Sequence, residues 1–239
     1  MTILNLEITS VFVEGYKGFK KRAVINLSSL TLVFGENSAG KSSILRLLVS
    51  ISKAITLKSV YPLLPVNVDG EESGFSALLT GEGSSPLEIG FTFKELGKDN
   101  VHFEVKYVIS YLREINRALI TEFHITKNGL PTKIFLLDID NYTSPYQREN
   151  TYLCNQSDSG ILEKYIFSFE GLAPKIFHSS NSIPHELLSD IIAIENTLID
   201  FSESIIWVGP LRGSSRSYCK QKEYCVNLGD EKSLPKRHQ

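Results

Sequence analysis

Alternating apolar and polar positions predict two β-strands near the start of the chain, at residues 3–13 and 23–27. The basic segment between them contains two glycines, so the strands are predicted to form a hairpin. Residues 30–34 make a short, almost continuous apolar run, which is typical of a strand covered on both faces. A glycine-rich loop follows, and apolar residues then recur at the spacing of a helix: Ile44, Leu45, Leu47, Leu48 and Ile51.

The middle of the chain, residues 86–141, is predicted to form an antiparallel β-meander. Turn signals such as Asn128-Gly129 separate its segments. A long exposed connection is expected before it, at residues 61–86, and a polar, irregular stretch after it, at residues 141–160. Four segments of alternating character supply the strands: 87–95, 101–110, 118–126 and 132–140.

The remaining elements form a second predicted block at residues 183–212, preceded by a strand at 161–169. A helix is expected there, with Ser182 as its N-cap and Pro184 in its first turn. A strand at residues 204–208 should then lead into Gly209, Pro210, Leu211 and Arg212, and residues 230–239 are predicted to be an unstructured tail. The apolar face of the helix is drawn by Leu187, Leu188, Ile191, Ile192, Leu198 and Ile199.

Composition favours one globular domain over all 239 residues, because 42% of them are hydrophobic and 22% charged. The formal net charge of −2 provides no general attraction to nucleic acid or to an anionic membrane, so any DNA contact would have to be local. We find neither a basic leader nor an apolar run of bilayer length, and we expect a cytoplasmic protein without membrane contact. Scattered Cys and His residues predict no metal site built from side chains alone.

The glycine-rich loop carries the candidate chemistry, because Gly35, Gly40, Lys41 and Ser42 stand at the spacing of the Walker A pattern. Glycines let the backbone curl so that its amides face phosphate oxygens, and the helix that follows presents its positive end to the same anion. The predicted phosphate-binding residues are Gly35, Glu36, Asn37, Ser38, Ala39, Gly40, Lys41, Ser42 and Ser43.

The pattern also predicts what the loop binds, namely the phosphates of a nucleotide together with Mg²⁺; that the nucleotide is ATP is implied by the family resemblance given below. Lys41 should reach the β and γ phosphates as a point charge. The Ser42 hydroxyl should complete the shell of a magnesium ion that phosphates and waters otherwise hold. The metal is therefore expected to arrive with the nucleotide.

Residues 35–45 resemble the Asn-containing Walker A of ABC-type heads in SMC, RecF and OLD-like proteins. As in those heads, a strand, the segment Gly18-Phe19-Lys20 and a second strand precede the loop. Residues 207–212 resemble the Gly-Pro-Leu-Arg element of a bacterial group of AAA-type, SMC-like predicted ATPases, many of them in mobile elements and anti-phage systems. The resemblance implies an α/β P-loop NTPase fold, the N-terminal portion of an ABC-type head, with the antiparallel meander as its β-rich lobe.

The resemblance also implies what this sequence lacks. Related heads carry a Ser-Gly-Gly signature, a Walker B strand ending in Asp-Glu and a switch His, and they hydrolyse ATP when two heads enclose the nucleotide. No Ser-Gly-Gly occurs here, and Asp138 at the end of residues 134–138 is followed by Ile139 instead of Glu. We therefore expect an incomplete domain that binds ATP, assign no catalytic residue, and expect a second head, identical or different, as partner.

Two groups of basic residues are secondary candidates. Lys17, Lys20, Lys21 and Arg22 lie in the first hairpin, where related heads approach adenine and ribose; a nucleotide contact, a DNA contact and a solvated turn all remain open. Arg212 and Arg216 could stabilise phosphate charge or a dimer contact, or be ordinary loop residues.

Three functions besides ATP hydrolysis in a defence or DNA-maintenance system stay open at this point. One is a non-hydrolytic nucleotide sensor that orders a surface for a partner. Another is a shortened, inactive gene product. A P-loop phosphotransferase is the third, and Asn37 together with the hairpin before the loop argues against it.

Overall fold

A computed structural model describes residues 4–36, 39–64, 86–97, 101–112, 117–139, 142, 149–155, 162–179 and 183–206. Met1–Ile205 form one compact unit, and of the second unit, Ile206–Gln239, only Ile206 is described. The described residues form nine strands and two helices: β1 (Leu6–Glu14), β2 (Ala23–Asn26), α1 (Lys41–Thr56), β3 (Leu87–Glu95), β4 (His102–Leu112), β5 (Arg117–Lys127), β6 (Leu130–Leu137), β7 (Glu149–Asn155), β8 (Leu162–Glu170), β9 (Ala173–Ser179) and α2 (His185–Ser204).

The nine strands belong to one sheet, in the order β2-β1-β3-β4-β5-β6-β7-β8-β9. Each described pair of neighbours is antiparallel, and from β3 onward each strand pairs with the next one along the chain. The predicted first hairpin, the four predicted strands of the meander and the strand predicted at 161–169 are confirmed. The described part is thus an α/β structure with an antiparallel sheet.

The core is formed by aromatic side chains that neighbouring strands point to one face of the sheet. Tyr107 stacks on Phe123 with ring centroids 5.1 Å apart, and Phe135 meets Phe167 edge-on at 4.9 Å. Each fully buried side chain of this kind contributes about 1.5–3 kcal/mol. Both helices cover this face with apolar residues: Leu47, Ile51 and Ile55 from α1, and Leu187, Ile191, Ile194 and Leu198 from α2.

The strand predicted at residues 30–34, covered on both faces, is not present. The segment is in no strand, and Leu30, Leu32 and Phe34 are 74%, 63% and 82% exposed. No described strand pairs with it, whereas its apolar character had predicted neighbours on either side. The Ser28 hydroxyl donates to the Leu30 carbonyl at 2.9 Å, so local bonds hold its first residues in a turn instead. The sheet therefore does not carry the Walker A strand.

Other differences lie after the meander. β7 falls inside the stretch predicted to be irregular, and β9 was not predicted. Pro184 is the N-cap of α2 instead of a residue of its first turn, and Ser182 lies outside the described residues. The strand predicted at 204–208 is wrong at its start, because Ser204 ends α2 and the next two residues are in no strand.

Candidate phosphate-binding site

The loop ends where α1 begins, at a glycine in the left-handed conformation. Gly40 is the N-cap residue with φ 87°, and its carbonyl accepts the first helical hydrogen bond from the Ile44 amide at 3.0 Å. The first turn of α1 contains no acidic residue. Because the first amides of a helix have no acceptor within it, this end of α1 presents donors and positive potential suited to an anion.

Lys41 folds back into the loop that precedes it. Its Nζ atom donates to the carbonyl of Gly35 at 2.7 Å and to that of Glu36 at 2.5 Å. The Ala39 amide donates to the same Glu36 carbonyl at 3.2 Å, which tightens the turn. The structure thus brings the two ends of the Walker A spacing, Gly35 and Lys41, into direct contact.

Most of the remaining predicted site residues that the structure describes are open to solvent. Ser42 is exposed and Ser43 is half-buried in the first turn of α1. Gly35, Glu36 and Ala39 are exposed as well, while Asn37 and Ser38 lie outside the described residues. An anion and a hydrated cation therefore have access to the Lys41 ammonium and the Ser42 hydroxyl.

Comparison with known protein families gives the family of the chain. Residues 6–198 match the model of a family described as AAA ATPase domain, which is more than half of the 239 residues. The chain belongs to that family. Membership supports ATP binding and hydrolysis as the general activity of the chain. A comparison with curated proteins finds no match.

The helix that carries the site of this AAA ATPase domain is fixed through its C-terminal half. The Ser52 hydroxyl donates to the Ser202 carbonyl of α2 at 2.7 Å, in a buried position. Gly171, in the turn between β8 and β9, packs so closely on Ala54 that an added Cβ would lie 2.8 Å from the Ala54 carbonyl carbon. A firmly packed helix gives the loop a rigid support.

The first hairpin reaches the other end of α1. The Phe19 ring lies against Gly40, where an added Cβ would be 2.6 Å from Phe19 Cζ. Gly18-Phe19-Lys20 is recognisable from the sequence as a family-like segment, but the contact itself is not predicted from it. An aromatic residue within a basic turn was the available signal, because such a ring needs an apolar surface to pack on.

The basic cluster of the hairpin is divided by the structure. Arg22 stacks on the Phe12 ring and bonds Glu104, whereas Lys20 and Lys21 are exposed. Burial lowers the pKa of the Lys17 ammonium, and the Arg46 guanidinium lowers it further. Of these basic residues, Arg22 therefore makes its contacts with other residues of the fold.

The segment that imitates Walker B lies in a different setting. Residues 134–138 run through the end of β6, between its antiparallel neighbours β5 and β7, and the Asp138 amide donates to the Thr151 carbonyl at 2.9 Å. This agrees with its assignment to the meander. Arg212, Arg216 and the Gly-Pro-Leu-Arg element lie outside the described residues.

The described part of the chain offers neither a cluster of metal ligands nor a helix that could span a membrane. It contains no group of three or more His, Cys, Asp or Glu placed to hold a metal ion. Neither of its two helices is long and apolar enough to cross a bilayer. Cys154 is buried, and burial raises the pKa of its thiol.

Proposed function

We propose that this AAA ATPase domain binds ATP with Mg²⁺ through residues 35–43, and that it hydrolyses ATP as one head of an SMC/ABC-like assembly. The observation that carries the proposal is the position of Lys41, whose ammonium bonds two carbonyls of the loop at the start of α1. A Walker A lysine is needed at this place, within reach of a phosphate bound to the first amides of the helix.

The residues present fit such a ligand. Phosphate oxygens offer the Lys41 ammonium stronger, charge-assisted hydrogen bonds than neutral carbonyls do, so binding would draw Nζ away from Gly35 and Glu36. The first turn of α1 contains no carboxylate that would repel the phosphates. The exposed Ser42 hydroxyl supplies a hard oxygen ligand suited to Mg²⁺, which in such sites neutralises charge on the transferred phosphoryl group.

A second head is part of the proposal because this chain supplies the phosphate loop without a recognisable carboxylate to orient the attacking water. The exposed side chains of Leu30, Leu32 and Phe34, just before the loop, support an assembly, since contiguous exposed apolar residues mark interaction surfaces. The setting in anti-phage defence or DNA maintenance rests on the resemblance of residues 35–45 and 207–212.

Nucleotide binding and phosphate release measured on the same samples test the proposal. A fluorescent ATP analogue is titrated into the purified chain with Mg²⁺, and wild type is compared with Lys41→Ala and Lys53→Ala. Lys53 is the matched control, because it is a half-buried lysine in the last turn of the same helix. We expect saturable binding by wild type and Lys53→Ala, and its loss in Lys41→Ala.

Each result has a definite meaning. One result is nucleotide binding together with phosphate release whose rate per molecule rises steeply with protein concentration. This result supports hydrolysis by assembled heads. Binding without phosphate release at any concentration favours a nucleotide sensor or a different partner head. A folded wild-type chain that binds no nucleotide contradicts the proposal.

A further inference from the structure

The turn of the first hairpin is unusually well fixed for a surface loop. The Gly15 amide donates to the Phe19 carbonyl at 2.8 Å, and the Phe19 amide donates to the Tyr16 carbonyl at 2.8 Å. Tyr16 is only 1% exposed and belongs to the hydrophobic core. Two backbone hydrogen bonds and one buried aromatic anchor therefore determine where Phe19 points.

Phe19 points at the residue on which the geometry of the phosphate loop depends. Its ring packs on the core and on Gly40, with Cζ, Cε2 and Cε1 at 2.6, 3.0 and 3.5 Å from the position that a Gly40 Cβ would take. Any side chain at Gly40 would collide with the ring. The left-handed conformation of Gly40, φ 87°, turns the chain from the loop into α1.

We propose that Phe19 is a positioning residue for the phosphate loop: its ring supports Gly40 from the hairpin and so holds the first amides of α1 in the arrangement that a phosphate requires. This inference rests on the proposed function and adds a residue to it. Phe19 acts through Gly40 and is not itself a ligand of the phosphates.

The physical reason is that little else supports this end of α1 in the described residues: apart from Phe19, the Lys41 ammonium bonds the carbonyls of Gly35 and Glu36, and bound phosphate would draw it away from them. Its buried residues begin at Leu47, and its contacts with α2 and with Gly171 involve Ser52 and Ala54. The first turn, Lys41 to Ile44, has no side-chain cap. A binding site must be held to within about 0.5 Å of its productive geometry, and an uncapped helix end frays without a neighbour to pack on.

The test compares three variants of the whole chain: Phe19→Ala, Phe19→Leu and Phe201→Ala. Phe201 is the matched control, a partly buried phenylalanine that packs on the core from α2, with its ring centroid 6.3 Å from that of Phe91. Affinity for the fluorescent ATP analogue is measured well below the melting temperature of every variant, so that folded protein is compared. We expect Phe19→Ala to weaken affinity on the order of tenfold, Phe19→Leu to retain most of it and Phe201→Ala to match wild type.

A second readout needs no nucleotide. Hydrogen exchange is measured on the free protein at the Ile44 amide, which bonds Gly40, and at the Leu57 amide, which bonds Lys53 at the other end of α1. Phe19→Ala should speed exchange at Ile44 and leave Leu57 unchanged. Phe201→Ala should not reproduce this pattern.

Two outcomes overturn the inference: Phe19→Ala binds nucleotide like wild type, or Phe201→Ala weakens affinity as much as Phe19→Ala, which would reduce the effect to general stability. Failure of the proposed function is a different result, since wild type itself would then not bind. In that case hydrogen exchange decides alone, and unchanged protection of Ile44 in Phe19→Ala rejects the positioning role.

Discussion

The guanidinium carbon of Arg22 lies 3.6 Å from the centre of the Phe12 ring, and Arg22 Nη2 donates a hydrogen bond of 3.0 Å to Glu104 Oε2. Phe12 is on β1 and Glu104 on β4, so one exposed arginine connects the hairpin with the sheet beyond it. This arrangement gives Arg22 a structural role, whereas the sequence alone leaves a nucleotide contact open.

The first prediction follows from this contact. Arg22→Ala should lower the free energy of unfolding by about 1 kcal/mol, because an exposed cation–π contact and an exposed ion pair each contribute at most about that much. Its affinity for the fluorescent ATP analogue should equal that of wild type. Urea denaturation and the binding titration check the two parts, with Lys20→Ala, an exposed cation of the same turn, as control. Weakened binding with unchanged stability would assign Arg22 to the nucleotide instead.

A second prediction concerns the turn that fixes the C-terminal half of α1. Gly171 has φ 63°, and an added Cβ would lie 2.8 Å from both the Ala54 carbonyl carbon and the Ile55 nitrogen. Gly171→Ala should destabilise the fold by about 2–4 kcal/mol, because a strained conformation adds to a collision with helix backbone. Chemical denaturation measures the loss.

Gly97→Ala is the control for that experiment. Gly97 also has a positive φ, 85°, but nothing lies within 4 Å of an added Cβ. Gly97→Ala should lower the free energy of unfolding only by the conformational strain, about 1–2 kcal/mol. Equal losses in the two variants would mean that the contact with α1 adds nothing.

A third prediction concerns the buried carboxylate of α2. Asp190 is 1% exposed, and Lys127 Nζ lies 3.6 Å from its Oδ1. Burial raises the pKa of the Asp190 carboxyl, while Lys127 opposes the shift and Glu186 and Glu95 add to it. Ionisation of Asp190 therefore costs stability in the folded state.

The sign of the pH dependence follows. The contribution of protonated Asp190 is fully present below its unfolded pKa of about 3.9 and is lost as the pH rises through the raised folded pKa. Asp190→Asn should therefore gain stability relative to wild type as the pH increases from about 4 to 7. Denaturation series at several pH values measure that difference.

Glu186→Gln provides the opposite case. The hydrogen bond from Lys127, at 2.8 Å, lowers the pKa of the Glu186 carboxyl, so its contribution is present above the unfolded pKa and lost at lower pH. The effect should be small, because the Glu186 side chain is 77% exposed. If the free energy of unfolding changed with pH in the same way in both variants, the opposite pKa shifts of Asp190 and Glu186 would be contradicted.

Strands with strict alternation could be predicted from the sequence, and two strands of the sheet could not. In β7, Tyr152 and Cys154 face the core, but the polar residues around them resemble a loop. β9 contains Pro174 and lies at the edge of the sheet, where a residue without an amide donor is tolerated. Short polar or edge strands depend on their neighbours for pairing, and that information is not local.

The candidate site likewise has features that the sequence predicts and features that it does not. Spacing alone located the loop, Lys41 and the start of α1, since the Walker A pattern describes one continuous segment. The contact of Phe19 with Gly40 depends on how the hairpin docks, and the use of Arg22 depends on Glu104 in a distant strand. Residues 30–34 show the reverse failure: an apolar run predicts burial, but it does not supply the strand that would bury it.

The Ser52–Ser202 hydrogen bond joins two positions 150 residues apart, and it has a consequence for protein synthesis. Residues of the candidate phosphate loop are synthesised well before α2, and this contact of the helix behind them forms only once α2 has been made. Contacts of such long range form late in folding. On a growing chain, therefore, the candidate nucleotide site would be translated before α2 and would mature only after it.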